Sequence, residues 1–139
     1  MAERSRIAVL VSGRGSNMAA LIYAARADDC SYEVGLVTGD KPDAPALDIA
    51  RAEGVTVEAL DAKALGPAYW DKLQQCLAGA DIDLVALAGF MRIIPDDFLS
   101  RWEGRMVNIH PSLLPRHKGL KTHQACLAAN DKVTGATVH

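Results

Sequence analysis

Short apolar runs recur along the chain, and segments with helical periodicity lie between them. The first run, residues 6–12, is rich in β-branched residues and is apolar on both faces, which is typical of a parallel strand that is covered by helices. The pattern predicts strands at residues 6–12, 32–38, 55–60, 84–89 and 105–109.

The segments between these runs predict helices, with Gly, Pro and capping residue types near their ends. The predicted helices cover residues 18–27, 44–53, 67–78, 95–101 and 122–129, and a further strand covers residues 136–139. We expect Ser16 or Asn17 to cap the first helix. This alternation predicts an α/β fold, with an open, mostly parallel sheet and helices on both faces.

The composition is that of one globular domain spanning residues 1–139, because half of the residues are hydrophobic and 23% are charged. With 15 Lys and Arg against 17 Asp and Glu, the net charge is −2, so we expect no nucleic-acid partner. No apolar run reaches the ~20 residues of a membrane helix, so we expect no membrane partner either.

The three cysteines, Cys30, Cys76 and Cys126, are widely spaced and odd in number. This arrangement argues against a disulfide framework and against a zinc site. Since the N-terminus also lacks a signal-peptide pattern, we expect reduced thiols and a cytoplasmic location.

A glycine-rich loop follows the first predicted strand and reads Ser-Gly-Arg-Gly-Ser-Asn over residues 12–17. Glycines allow a tight turn, and the N–H groups of the helix that follows can hold a phosphate. Met18 stands where the G-x-G-x-x-G fingerprint of dinucleotide-binding loops has its third glycine, and the G-K-[ST] of the P-loop pattern is absent. The loop therefore favours a small phosphate ester as ligand over a dinucleotide or ATP. Asp40 is placed like a ribose-binding acid, but the missing glycine argues against that interpretation. A plain capped turn without a ligand is the alternative.

Asn108 and His110 follow the fifth predicted strand and are two residues apart, so on an extended segment both side chains share a face. A carboxamide beside an imidazole suits a reaction that builds an oxyanion and moves a proton. The alternative is a hydrogen-bonded loop anchor beside a solvent-facing histidine.

Residues 89–95, Gly-Phe-Met-Arg-Ile-Ile-Pro, place an apolar stretch and one arginine at the end of the fourth predicted strand. If the segment is functional, we expect it to form an apolar binding site for a flat ring. If it is only structural, it is a core strand that leads into a helix. The remaining histidines, His117, His123 and His139, fit no metal-binding pattern, so no metal is expected.

Taken together, these motifs resemble the phosphoribosylglycinamide formyltransferases, folate-dependent enzymes of purine synthesis. The resemblance extends from residue 6 to residue 139. The matching stretches are residues 7–17, 87–94, 108–115 (Asn-Ile-His-Pro-Ser-Leu-Leu-Pro), 119–123 and 135–139. The resemblance implies the Rossmann-like formyltransferase fold.

The resemblance further implies that the amine of 5'-phosphoribosylglycinamide attacks the formyl carbon of 10-formyltetrahydrofolate, without a metal. Asn108 would donate a hydrogen bond to the oxyanion, and His110 would assist it and take part in proton transfer. The phosphate of the ribonucleotide would be held by Gly15, Ser16 and Asn17.

The folate cosubstrate would bind against the segment after the fourth strand. The residues assigned to this pocket are Met91, Arg92, Ile93, Ile94 and also Asn108. A homodimer is compatible with the sequence.

The chain departs from the family pattern at two places. It ends inside a predicted strand, ahead of a catalytic aspartate expected shortly after His139, and a basic residue expected near Gly66 is missing. We therefore expect a piece of a longer protein with a C-terminally incomplete fold, whose 139 residues alone transfer formyl groups poorly or not at all.

Three alternative functions remain. A formyltetrahydrofolate hydrolase would use the same chemistry without needing the phosphate loop, and a nucleotide-binding or regulatory module would have kept the fold without catalysis. A nicotinamide-dependent dehydrogenase is disfavoured by Met18.

Overall fold

The computed structural model describes residues 4–109, and a parallel β-sheet forms the centre of this part of the chain. Its strands are β1 (Ser5–Val11), β2 (Tyr32–Gly39), β3 (Val57–Ala59), β4 (Leu84–Ala88) and β5 (Met106–Ile109). The helices are α1 (Ser16–Ala24), α2 (Pro45–Ala52), α3 (Ala62–Leu65), α4 (Ala68–Gly79) and α5 (Asp96–Arg101).

The strands lie in the order β3-β2-β1-β4-β5, and every pair that the described residues form is parallel. The chain builds the sheet outward from β1 to β3, then returns to the other side of β1 with β4. The loops after β1 and β4 consequently diverge, which leaves a crevice at the carboxyl ends of these strands.

Helices cover both faces of the sheet, as the sequence pattern predicts. On β1, Ile7, Val9 and Val11 belong to a core with α1 and α2, whereas Ala8 and Leu10 belong to a core with α4 and α5. This alternation of side chains explains why the central strand is apolar at every position from Ile7 to Val11.

Most predicted elements within the described residues are confirmed, with shifts of one to three residues at their ends; the largest shift is at α1, which ends at Ala24 where residue 27 was predicted. Two other differences concern β3 and α3. The strand β3 is shortened because the Val55 N–H donates to the Ala50 carbonyl at the end of α2. The four-residue helix α3 was not predicted; it is capped by Asp61, whose Oδ1 accepts from the Lys63 and Ala64 N–H groups.

The predicted cap of α1 is wrong. Ser16 is the first residue of this helix and Gly15 is its N-cap, with no side-chain capping bond. Gly15 has a φ of +82°, a left-handed conformation that glycine adopts without the steric penalty of a Cβ. The predicted helix at residues 122–129 and the predicted strand at residues 136–139 lie outside the described residues.

Candidate functional site

The loop at residues 12–17 is shaped by close contact with α2. The Gly13 carbonyl accepts a hydrogen bond of 3.0 Å from the Ala46 N–H. A Cβ built on Gly15 would lie 2.5 Å from the Ala46 Cβ, so only glycine fits between loop and helix. The first N–H groups of α1, from Ser16 and Asn17, have no partner within the helix and remain available to an anion.

A cavity of about 350 Å³ opens between the loops that follow β1 and β4. It is lined by Ser12, Gly13, Arg14, Gly15, Ser16, Asn17, Lys41, Ala88, Gly89 and Met91. The structure therefore brings the predicted phosphate-binding residues together with Met91, one of the residues predicted to bind the cosubstrate. Arg92, Ile93 and Ile94 are not among the lining residues.

Two cations at this cavity, Arg14 and Lys41, were not assigned a role from the sequence. Both are exposed and line its wall. Lys41 follows the end of β2, and the carboxyl ends of parallel strands meet at one edge of the sheet. That rule was the signal that could have placed Lys41 beside the glycine-rich loop.

Ser12 connects the two loops of the crevice. Its side chain is buried, and its Oγ accepts a hydrogen bond of 3.0 Å from the Met91 N–H. The glycine-rich loop and the segment after β4 are therefore fixed relative to each other, although they are 79 residues apart.

The segment between β4 and α5 presents apolar side chains at its surface. Met91 is 79% exposed and Ile93 is 94% exposed, whereas Phe90 and Ile94 pack against the core under α4. Exposed large apolar side chains next to a cavity are typical of a ligand-binding surface.

Arg92 of the same segment turns toward the sheet. Its guanidinium Nη1 lies 3.3 Å from Oδ2 of Asp40, and its Cζ lies 5.7 Å from the centroid of the Tyr69 ring. The Asp40 side chain is only 1% exposed, so the structure does not favour it as a group that binds a ribose at the surface.

A buried polar cluster surrounds this ion pair. Among the described residues, Thr38 Oγ1, Asp40 Oδ1 and the Tyr69 hydroxyl have no hydrogen-bond partner. Burial raises the pKa of the Tyr69 phenol above its ordinary value; the Asp40 charge raises it further, and the Arg92 charge opposes the rise.

Asn108 is buried on β5, opposite Leu87 of β4. Strand alternation puts its side chain on the same face as that of Met106, which is the α4 face. β4 and β5 are paired neighbours in the sheet, so Asn108 lies beside the strand that leads into residues 89–95. His110 lies outside the described residues, and so do His117, His123 and His139.

In the part of the chain that the structure describes, no group of His, Cys, Asp and Glu side chains could hold a metal ion. In the same part, none of the helices combines the length and the apolar character needed to cross a membrane.

Comparison with known proteins adds independent information. The formyl transferase family model matches residues 5–139. The phosphoribosylglycinamide formyltransferase of Escherichia coli (strain K12) is 42% identical over 135 residues, which are 96% of this chain and 64% of that protein. The trifunctional purine biosynthetic protein adenosine-3 of Homo sapiens is 39% identical over 99% of this chain and 14% of its own length.

Solved structures agree with the sequence comparison. The phosphoribosylglycinamide formyltransferase of Brucella melitensis superimposes with a TM-score of 0.77 at 40% identity, over 93% of this chain and 68% of that one. This chain therefore spans less than two thirds of the Escherichia coli relative and about a seventh of the human one. Sequence and structure together place the chain in the formyl transferase family.

Proposed function

We propose that the protein transfers a formyl group from 10-formyltetrahydrofolate to the amine of 5'-phosphoribosylglycinamide, in purine synthesis. The observation that carries this proposal is the crevice between β1 and β4, where the glycine-rich loop at the start of α1 faces an exposed apolar segment. Two dissimilar substrates, one a phosphate ester and one a flat heteroaromatic ring, can meet there. The names of the relatives, phosphoribosylglycinamide formyltransferase among them, support the same reaction.

The phosphate would bind at the first turn of α1. Its partners are the N–H groups of Gly15, Ser16 and Asn17, and the helix adds about +0.5 elementary charge at this end. Arg14 and Lys41 supply full positive charges at the cavity wall, which match the charge of a phosphate monoester.

The folate ring would bind against residues 91–94. Met91 and Ile93 offer apolar surface to a flat ring, and burying one such side chain contributes about 1.5–3 kcal/mol. The chemistry of the segment therefore fits the cosubstrate. Backbone groups of the segment would hydrogen-bond its polar edge, apart from the Met91 N–H, which already donates to Ser12 Oγ. Arg92 and Ile94 would border this pocket from the side of the sheet.

Asn108 and His110 are the residues that we assign to the chemical step. When the amine attacks the formyl carbon, a C–N bond forms, the formyl oxygen becomes an oxyanion and the attacking nitrogen becomes positively charged. The nitrogen then loses a proton, N10 of the folate gains one, and the bond from the formyl carbon to N10 breaks to release tetrahydrofolate. The Asn108 carboxamide would donate a hydrogen bond to that oxyanion. His110 would stabilise the same charge as an imidazolium and take part in the proton transfer. Asn108 would also contact the cosubstrate.

We also propose that residues 1–139 belong to one catalytic domain, and that this domain uses no metal. We further propose a cytoplasmic location, because the cysteines are widely spaced along the chain. A homodimer stays a prediction.

The test uses the full-length protein with 10-formyltetrahydrofolate, in the presence and absence of 5'-phosphoribosylglycinamide. Formation of tetrahydrofolate only when the ribonucleotide is present, with formylation of its amine, is the expected result. Release of formate that ignores the ribonucleotide would instead indicate a hydrolase, and binding without turnover would indicate a non-catalytic relative.

Two variants separate the subsites. Lys41→Ala should raise the KM for the ribonucleotide about fivefold, because a charge lost at the cavity wall is worth about 1 kcal/mol. Ile93→Ala should raise the KM for the cosubstrate about tenfold, because it removes apolar contact. Lys63→Ala, an exposed lysine of α3 outside the cavity lining, is the control and should change neither constant.

A further inference from the structure

Asp40 is held rigidly at the end of β2. Its N–H donates to the Val11 carbonyl of β1 at 3.4 Å, and its carbonyl accepts from the Ala62 N–H of α3 at 3.1 Å. Both backbone groups are therefore tied to ordered elements, which leaves the carboxylate little freedom to move.

The carboxylate reaches a segment that has no regular structure. Arg92, its partner at 3.3 Å, belongs to the stretch between β4 and α5, which begins with Gly89 at a φ of +75°. Side-chain hydrogen bonds fix this stretch to the sheet at two points: Ser12 Oγ to the Met91 N–H, and Asp40 Oδ2 to Arg92.

The energetics of the pair argue against a purely stabilising role. Burying a carboxylate removes its hydration, and a single ion pair offsets that loss only when the remaining oxygen is also hydrogen-bonded. Asp40 Oδ1 has no partner among the described residues, and 41% of the Arg92 side chain is exposed. The pair therefore contributes more to the position of residues 90–95 than to the stability of the sheet.

We propose that Asp40 is a positioning residue for the binding of the formyl-folate cosubstrate, a role that rests on the proposed function. By holding Arg92 against the Tyr69 ring, Asp40 fixes the course of the segment. Met91 is then held at the crevice and the neighbouring Ile93 side chain is kept at the surface. Asp40 itself contacts neither substrate in this proposal.

The test compares Asp40→Asn, Arg92→Gln and the double variant in the full-length protein. Asp40→Asn keeps the size of the side chain and removes its charge. We expect the KM for 10-formyltetrahydrofolate to rise about tenfold, while kcat and the KM for the ribonucleotide stay within about twofold. The KM of the double variant for 10-formyltetrahydrofolate should be no higher than that of the more impaired single variant, because both changes break the same interaction.

Asp48→Asn is the matched control. Asp48 pairs with Arg51 at 3.2 Å on the exposed surface of α2, away from the segment, so all constants should stay unchanged. If Asp40→Asn raised both KM values equally, or lowered only the thermal stability, the positioning role would be refuted.

A second measurement is independent of turnover. Amide hydrogen exchange at residues 90–94, recorded without substrates, should become faster in Asp40→Asn and in Arg92→Gln, but not in Asp48→Asn. Unchanged exchange in the two variants would overturn the positioning role. Absence of formyl transfer by the wild-type protein would overturn the proposed function instead, so the two failures are distinguishable.

Discussion

Replacing Gly15 by alanine tests whether the phosphate-binding loop depends on its contact with α2. The added Cβ would lie 2.5 Å from the Ala46 Cβ, 3.0 Å from the Ala46 Cα and 3.1 Å from the Met18 Cε. The first two contacts are with a buried residue in the first turn of α2, which cannot retreat without displacing the helix.

The magnitude has two sources. A left-handed backbone conformation costs an alanine about 1–2 kcal/mol, and overpacking of a buried site costs about 1–3 kcal/mol. We therefore expect Gly15→Ala to lower the free energy of unfolding by about 2–5 kcal/mol, or to displace the loop and lose phosphate affinity instead.

Gly13→Ala is the matched control in the same loop. A Cβ built on Gly13 meets nothing within 4 Å, and the φ of this residue lies outside the left-handed region. This variant should change stability by less than about 1 kcal/mol.

The assay is urea unfolding of both variants in the full-length protein, together with calorimetric titration of the ribonucleotide. Equal stability and equal ribonucleotide affinity in the two variants would refute the steric account of the loop.

Three further predictions concern other parts of the molecule. Asn108→Ala should lower kcat about 10²–10³-fold in the full-length protein with little change in ribonucleotide affinity, because an oxyanion donor is lost; an unchanged kcat would remove Asn108 from the chemistry. Because folding raises the pKa of Tyr69, the unfolded chain loses this proton at a lower pH than the folded chain does. Stability should therefore fall as the pH rises above about 10, and Tyr69→Phe should weaken that fall; an identical pH profile would contradict the assignment. Leu73→Ala should destabilise the protein by about 2–5 kcal/mol, because the Leu73 side chain of α4 is fully buried in the core between this helix and the sheet; a urea midpoint within error of the wild type would count against this core.

Within residues 4–109, the amino-acid sequence alone was sufficient to predict the α/β architecture and every element except α3. Residues 7–11 of β1 and all residues of β4 are apolar on both faces, and apolar runs this short that are bounded by turn residues favour strands over helices. The glycine-rich loop was also predictable from the local sequence, because the spacing of its glycines and the start of the helix that follows can both be read from neighbouring residues. The residues from Gly15 to Asn17 line the cavity at the crevice, and phosphate binding by them stays a prediction.

The tertiary structure alone decided which distant residues meet. Arg92 contacts Asp40 across 52 positions, and Met91 contacts Ser12 across 79, because strand order brings the ends of β2, β1 and β4 side by side. Lys41 reaches the cavity for the same reason. The choice of Gly15 as N-cap was likewise set by the packing of α2 against the loop. Local patterns specify elements, whereas contacts between loops follow from the sheet order, which depends on the packing of the whole chain.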